Sequence, residues 1–449
     1  MPFIPNTEQN EKKILNTIGI DSFEQLLTGI PQNARISGEL NLPAQLSELE
    51  AVRLLQNLAE KNKNINQYSC FIGGGAYDHY VPSAVDHIIS RSEFYTAYTP
   101  YQPEVSQGTL QVAFEYQTLI CELTGMEITN ASLYEGGSSL AEAVLLTNSS
   151  KDSKRMLVSA GINPYYKKVM QTYADGQKIE LINIPLNENG VTDLSALKSL
   201  LSEPTGGVFI QHPNFFGNLE IVDELEHIIH DANSFFVASI DPISLGVISA
   251  PGDYGADIVT GEGQVLGNPL SFGGPYLGIF CVNKVLVRKL PGRLIGETVD
   301  SENRRGFVMT LRTREQDIRR EKATSNICTN QALNALAATI YLSLLGKQGI
   351  KEVAEQCLQK SHYLAEKISQ LKNFSLLSNS LFFKEFVIKC PAEACTVIQK
   401  LKHEGILAGL DLGRIYPNRK DQLLVAVTEK RSTDELDAFV SALKKYFET

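Results

Sequence analysis

The chain has 449 residues, enough for two or three domains at roughly 150 residues each. Hydrophobic residues make up 43% of it and charged residues 20%, which is typical of globular proteins and excludes collagen-like, low-complexity and wholly disordered chains. Acidic residues (51) outnumber basic residues (41). This surplus repels phosphate backbones, so we expect no nucleic-acid partner.

Nothing in the sequence predicts export or membrane insertion. The most apolar stretch, residues 333–345, is shorter than the ~18 apolar residues that span a bilayer. The N-terminus has neither a basic segment nor an apolar one of the kind that signal peptides carry. The seven cysteines are scattered and odd in number, which predicts neither a disulfide framework nor a zinc site. We therefore expect a cytoplasmic protein with no metal and no membrane partner.

Residues 1–66 are predicted to form an N-terminal helical arm. Asp21–Glu24 and Ser47–Glu50 both fit the capping-box pattern that opens helices. Apolar residues then recur at helical spacing from Leu49 to Ala59.

Residues 67–311 are predicted to form a large α/β domain. Helical patterns near 164–174, 193–202 and 219–232 alternate with short apolar runs typical of buried strands. Such alternation predicts a mostly parallel sheet covered on both faces, with ligands at the carboxyl ends of its strands. The runs are Met156–Ser159, Ile179–Ile184, Val208–Gln211, Phe235–Ile240, Ile258–Thr260 and Leu277–Val282.

Residues 312–449 are predicted to form connecting helices and a small C-terminal α/β domain. The pattern from 312 to 371 is almost purely helical. It is followed by a strand at Leu381–Lys389, a helix beginning at Pro391, and a strand at Leu423–Thr428. A capping box at Ser432–Glu435 opens the last helix.

This layout is that of the fold-type I pyridoxal-phosphate enzymes, the aspartate aminotransferase-like fold. Such an enzyme needs a helix N-terminus for the phosphate, an aspartate for the pyridinium nitrogen and a lysine for the Schiff base. Ser138 and Ser139 open a helix after two glycines, although a simple Gly/Ser cap would look the same. Asp241 directly follows a predicted strand, where it could also be a helix cap or a turn residue.

The lysine is missing. It should lie in the loop of residues 261–276, which contains none, and Lys284 lies beyond the following strand. Without this amine the chain cannot form a Schiff base there. Ser138, Ser139, Asp241, Gln264 and Val265 are therefore interpreted as positions of a vestigial cofactor site.

Long motifs distributed along most of the chain resemble those of the glycine decarboxylase (P-protein) family. Glu135 stands where the family pattern leads us to expect Asp, a conservative change. The motifs are Phe71–Pro82, Glu93–Gly108, Phe114–Thr118, Leu123–Met126, Asn130–Ser132, Gly261–Gln264, Ser271–Pro275, Thr313–Gln316 and Arg319–Asn330.

The resemblance is to the N-terminal half of that family as a separate chain. It implies an oxidoreductase of the glycine cleavage system, active only with a second subunit that carries pyridoxal phosphate covalently. The complex, expected to be α2β2, would decarboxylate glycine and transfer the aminomethyl group to the lipoyl arm of the H-protein. This chain would complete the site from the partner interface and hold no covalent cofactor.

Seven residues are the candidates for that contribution. Tyrosine hydroxyls and amides on a proline-stiffened loop supply donors and acceptors, as do the hydroxyls of a Thr-Ser-Asn segment. The basic run 304–322 is either an exposed, salt-bridged helix face or the source of an arginine for a carboxylate, a phosphate or the partner chain. The candidates are Tyr98, Tyr101, Gln102, Arg314, Thr324, Ser325 and Asn326.

Two other functions remain open from the sequence. An independent pyridoxal-phosphate decarboxylase or aminotransferase would need a displaced lysine and would turn over alone. A non-catalytic scaffold would bind the partner without contributing a pocket residue.

Overall fold

The computed structural model describes residues 6–36, 38, 40–151 and 153–448. The chain divides into two compact units, Met1–Lys63 and Asn64–Thr449. The first boundary lies three residues from the predicted one at 66, and residues 67–449 share one unit.

The α-helices are α1 (Glu8–Ile18), α2 (Glu48–Ala59), α3 (Ser83–Ile89), α4 (Ser92–Tyr95), α5 (Gln107–Thr124), α6 (Gly136–Lys151), α7 (Pro164–Gln177), α8 (Leu194–Leu200), α9 (Val222–Asp231), α10 (Gln316–Arg319), α11 (Ala332–Ser369), α12 (Ala394–Lys402) and α13 (Thr433–Phe447).

Fifteen strands form four sheets among the described residues. The strands are β1 (Ser69–Cys70), β2 (Ile128–Thr129), β3 (Arg155–Ser159), β4 (Glu180–Ile184), β5 (Gly207–His212), β6 (Phe235–Ile240), β7 (Ile258–Glu262), β8 (Gly278–Val282), β9 (Leu294–Val299), β10 (Arg305–Thr310), β11 (Ser375–Leu376), β12 (Glu385–Lys389), β13 (Ile406–Leu407), β14 (Leu410–Asp411) and β15 (Gln422–Ala426).

The first unit contains α1 and α2. Ser47 and Glu50 form the predicted capping box at the start of α2. The capping box predicted at Asp21–Glu24 is wrong, because a 3₁₀ helix begins at Phe23 and its N-cap, Ser22, makes no side-chain capping bond. The Gln25 side chain instead accepts the backbone N–H of Asp21.

A seven-stranded sheet organises the second unit, with the spatial order β2-β8-β7-β6-β5-β3-β4. The strands β3 to β7 run parallel, and β8 is antiparallel to both of its neighbours. All six predicted strands of this region are confirmed, and so are its three predicted helices. The parallel strands β3, β5, β6 and β7 are almost entirely buried, as expected of a sheet with helices on both faces, whereas the edge strand β4 is largely accessible.

Two apolar clusters cover the sheet. One packs residues of α6 and α7, such as Leu140 and Met170, against Val158 and Phe280. The other joins the sheet to α5, α9 and α11. These clusters leave the carboxyl edge of the parallel strands for polar side chains.

The helical prediction for residues 312–371 is only half right. The long helix α11 is present, but residues 323–331 are not helical. The part before them consists of the short helix α10 and two three-residue 3₁₀ helices. Leu311 and Arg320 have positive φ values of 53° and 54°, which interrupt a right-handed helix. The β9–β10 hairpin was not predicted at all.

The C-terminal part forms a second, four-stranded antiparallel sheet with the order β11-β12-β15-β14. The strand predicted at Leu381–Lys389 begins only at Glu385, and α13 opens with the predicted capping box of Ser432 and Glu435. This sheet has its own apolar core, which includes an edge-on contact of Phe71 with Phe439 at 4.8 Å between ring centroids. The domain boundary at 311/312 stays a prediction. Within the described part of the chain, no helix has the length and apolar character needed to cross a membrane.

Candidate functional site

Polar side chains of both sheets converge on one small cavity at the carboxyl edge of the large sheet. Asn163 follows β3, Gln211 lies at the end of β5, Asp241 follows β6 and Glu262 ends β7. The cavity has a volume of about 30 Å³, which is room for only one or two water molecules. The remaining polar and aromatic wall is supplied by Tyr77, Tyr166, Lys384 and Glu385.

Lys384 supplies the positive charge of this cavity. Its Nζ lies 2.7 Å from Asp241 Oδ2 and 3.6 Å from the ring centroid of Tyr77. The Lys384 side chain is only 2% exposed. Burying an ammonium group is costly unless it is paired and hydrogen-bonded, and here it is both.

The hydrogen-bond network continues beyond the lysine. Lys384 Nζ lies 3.0 Å from His79 Nε2, and His79 Nδ1 lies 2.6 Å from Glu429 Oε2. Since an ammonium only donates, these partners assign His79 as the neutral tautomer that accepts at Nε2 and donates from Nδ1. The other oxygen of Glu429 accepts the backbone N–H of Tyr80.

The helix N-terminus predicted to be a phosphate site is occupied by carboxylates of the chain itself. Glu262 Oε2 accepts the backbone N–H of Gly136 at 2.9 Å, and its Oε1 accepts two further backbone N–H groups. Glu135 Oε1 accepts both the N–H and the hydroxyl of Ser138. The hydroxyl of Ser139 is buried without a hydrogen-bond partner among the described residues.

Two of these glutamates have raised pKa values. Burial raises the pKa of Glu262 to about 8, against the opposing effect of its three backbone donors. Burial likewise raises the pKa of Glu385 to about 7, although Tyr77 and the N–H of Gly74 stabilise its ionised form. The cavity therefore holds carboxyl groups that titrate near neutral pH.

The two remaining vestigial positions are structural. Gln264 is buried and exchanges two hydrogen bonds with the backbone of Tyr77, while its amide also donates to the carbonyl of Asn268. Val265 packs in the apolar core. Neither side chain provides an amine.

Pyridoxal phosphate does not fit this cleft. The cavity is too small for a phosphorylated pyridine ring, and the N–H groups that would bind its phosphate already bind Glu262 and Glu135. Asp241, the expected partner of the pyridinium nitrogen, is paired with Lys384.

Three of the seven candidates for the partner-facing site come together around a different cavity. Arg314, Thr324 and Ser325 line a cavity of about 20 Å³ together with Arg288 and Lys289, so that three basic side chains face one acidic one, Glu315. Arg314 donates to the carbonyl of Leu290. Its Nε and Nη2 atoms are buried without a hydrogen-bond partner in the described structure.

The other four candidates are exposed. Tyr98 is 88% exposed, and Tyr101 is 55% exposed with the guanidinium of Arg312 at 5.5 Å from its ring centroid. Gln102 and Asn326 are also exposed.

The basic run therefore has two parts. Arg304 and Arg305 are exposed and ion-paired, as one alternative expected, although the run does not form one helix face. Arg312 and Arg314 instead contact other segments of the chain.

Sequence reasoning missed Lys384, Glu262 and Tyr77. The sequence pattern leads us to expect the lysine between β7 and β8, whereas Lys384 directly follows two phenylalanines in an apolar run. A charged side chain in such a run must pair with another buried polar group, and this requirement was the one sequence signal that Lys384 belongs to a buried site. No local pattern identifies Glu262 as a substitute for a phosphate.

Comparison with known proteins gives a consistent result. The family described as "Glycine cleavage system P-protein" matches residues 1–443. The chain is 53% identical over 445 residues to "Probable glycine dehydrogenase (decarboxylating) subunit 1" of Chloroherpeton thalassium, covering 99% of this chain and 100% of that relative. A second relative of the same description, from Carboxydothermus hydrogenoformans, is 51% identical over 99% of both chains.

Solved structures agree. The chain superimposes with a TM-score of 0.89, at 40% identity and over 99% of its length, on all of the chain of an inhibitor-bound glycine decarboxylase (P-protein) of the glycine cleavage system. It also resembles a glutamate decarboxylase of Lactobacillus brevis at 12% identity with a TM-score of 0.69, covering 92% of this chain and 95% of that one. The second likeness shows the fold alone, and both confirm the predicted fold-type I architecture.

The buried ion pair leads to a test of stability. Replacing Lys384→Met leaves the carboxylate of Asp241, which is only 13% exposed, without its cation, so we expect the free energy of unfolding to fall by about 3 kcal/mol. Guanidinium denaturation of the full chain measures it. The double variant Lys384→Met/Asp241→Asn should recover part of the loss. Lys351→Met, which breaks an exposed pair with Glu355, should change the stability by less than ~1 kcal/mol; equal losses in both single variants would contradict the assignment.

The helix α6 leads to a test of pH dependence. Burial raises the pKa of Glu142 to about 7, so the folded chain retains a proton that the unfolded chain loses above its ordinary value. Stability from this group is therefore present at low pH and is lost as pH rises from about 4.5 to about 7. Glu142→Gln should reduce the loss of stability between about pH 5 and about pH 8 by roughly 2–3 kcal/mol. Exposed Glu115→Gln serves as the control and should leave the profile unchanged; an unaltered profile in Glu142→Gln would refute the prediction.

Proposed function

Because the chain belongs to the glycine cleavage system P-protein family, we propose that it is subunit 1 of a two-subunit glycine decarboxylase and forms the half of the enzyme that carries no covalent cofactor. In this proposal the complex decarboxylates glycine and transfers the remaining aminomethyl group to the lipoyl arm of the H-protein. Pyridoxal phosphate, bound to a lysine of subunit 2, supplies the electron sink for loss of CO2.

The filled cleft is the observation that carries this proposal. A fold-type I chain that used its own cofactor would need the space, the N–H donors and the aspartate that Lys384, Glu262 and Glu135 occupy here. The charges of this cleft are neutralised within the chain, which supports a role other than binding the cofactor at this edge.

The contribution to the partner's site is assigned to the cavity of Arg314. Two buried guanidinium nitrogens without partners, close to two further basic side chains, favour an anionic group brought by the second subunit. The hydroxyls of Thr324 and Ser325 line the same cavity and can donate to that anion.

The exposed candidates complete the proposal. Tyr98, Tyr101, Gln102 and Asn326 have side chains free of burial and are proposed to contact the second subunit or its substrate. An α2β2 assembly and a cytoplasmic location are also part of the proposal, the latter supported by seven cysteines that are all free thiols.

The alternative of an independent pyridoxal-phosphate enzyme now has a specific residue to test. Lys384 is an amine at the predicted cleft, although its Nζ is held by Asp241 and His79. For the complex of both chains, we expect borohydride reduction followed by peptide mapping to place the cofactor label on the second subunit. Lys384→Arg should leave that label unchanged. A label on Lys384, or on any lysine of this chain, would overturn the proposal.

Arg314 distinguishes a site contribution from a scaffold role. In the purified complex, we expect Arg314→Gln to lower the rate of glycine–CO2 exchange by about tenfold or more, since the anion would lose a charged donor. Arg314→Lys should restore part of the rate because the charge remains. Arg304→Gln, which removes an exposed ion pair with Asp300, is the control and should retain the rate. A normal rate in Arg314→Gln at normal complex formation would favour the scaffold.

A further inference from the structure

A third cavity, of about 280 Å³, lies in the Asn64–Thr449 unit and shares no lining residue with the filled cleft. It is lined by residues 94–100, which include the end of α4, by α5, and by residues 329–336, which lead into α11. Exposed Tyr95 and Tyr98 belong to its rim. Its wall is largely apolar and includes Phe94, Val112, Ala113, Ile295, Leu333 and Leu336.

One charged residue lines this cavity, and it is Arg293. The residue is only 7% exposed. Its guanidinium donates to the Asn330 side chain at 3.0 Å, to the Thr99 hydroxyl at 3.2 Å and to the carbonyl of Cys328 at 3.0 Å. All three acceptors are neutral, and Thr99 and Asn330 also line the cavity.

The positive charge of Arg293 has no close counter-ion. In the part of the chain that the structure describes, no carboxylate oxygen lies within 4.0 Å of its guanidinium, and Glu315 feels the charge only at longer range. A buried cation without an anion is energetically unfavourable. Because a guanidinium has five N–H groups and three hydrogen bonds are made, two donors remain for a ligand.

The size and polarity of the cavity restrict the ligand. An apolar cavity of ~150 Å³ accommodates benzene, so a cavity of about 280 Å³ admits a phenyl ring with a short side chain. One guanidinium in an otherwise apolar and neutral wall matches one carboxylate on an apolar body. Glycine itself, which has no apolar body, would leave most of this wall in contact with water.

We propose that this cavity is a binding site for a small monocarboxylate with an apolar body, whose carboxylate Arg293 holds. The site goes beyond the proposed role in glycine decarboxylation and holds whether or not that role is correct. The cavity lies between residues 94–100 and the start of α11. Arg293 already joins these two segments through its hydrogen bonds to Thr99 and Asn330.

Calorimetric titration of the full chain tests the site with two probes of the same shape. The carboxylate 3-phenylpropionate should bind once per chain, and the neutral 3-phenylpropan-1-ol should bind at least about tenfold more weakly. Arg293→Met should remove this preference for the carboxylate. Ala113→Phe, which fills the cavity from α5, should abolish the binding of both probes.

Arg419→Gln is the matched control. Arg419 is a half-buried arginine whose guanidinium carbon lies 4.5 Å from the ring centroid of Phe216, and it lies outside this cavity. Its variant should bind 3-phenylpropionate as the unaltered chain does. Absence of binding to the unaltered chain, equal affinity for both probes, or unchanged binding in Ala113→Phe would each overturn the proposal. If Arg293→Met fails to fold, the titration of Ala113→Phe still shows whether the probes bind in this cavity.

Discussion

The ion pair between Lys384 and Asp241 is the constraint on which the second unit depends. Asp241 follows β6 of the large sheet, while Lys384 directly precedes β12 of the small sheet. The pair therefore fixes one sheet against the carboxyl edge of the other. The same junction brings Gly217 so close to Glu385 that a Cβ atom would overlap the Glu385 carbonyl, and Gly217 has a φ of +90°. Only glycine suits that position.

Groups of the chain take the hydrogen-bonding positions in the cleft that a bound cofactor would take. The ammonium of Lys384 faces Asp241 as a pyridinium would, and a carboxyl oxygen of Glu262 accepts the N–H of Gly136 at the start of α6 as a phosphate oxygen would. A chain that merely lost the lysine would leave an unpaired aspartate and free N–H donors in a buried place. Lys384 and Glu262 satisfy both groups from within the chain, so the architecture at this edge is stable on its own.

The fold could be predicted largely from the sequence because its central pattern is local. Apolar runs alternating with helices indicated the parallel sheet, and Ser432 with Glu435 indicated the start of α13. The helix predicted over residues 312–331 is absent because the backbone course of these residues depends on distant contacts, such as that of Arg314 with the carbonyl of Leu290. Their charged residues look helical by spacing alone.

The candidate site could be predicted only in part, for the same reason. The sequence shows that the cofactor lysine is missing and that Asp241 follows a strand. It does not show that Asp241 pairs with Lys384, because this residue lies far along the chain. Hydrogen bonds from Tyr77 to Glu385, or from Gly136 to Glu262, likewise join residues that no periodicity relates.

The buried cations of the chain differ in how their charge is balanced. Lys384 has its anion within the chain, and it belongs to a closed network. The guanidinium groups of Arg314 and Arg293 hydrogen-bond to neutral groups of the described chain, and each borders a cavity. Because a buried charge without a full counter-charge is energetically unfavourable, these two arginines are the positions at which we propose that the chain receives an anion. The cleft, by contrast, has its cation paired within the chain and joins the two sheets.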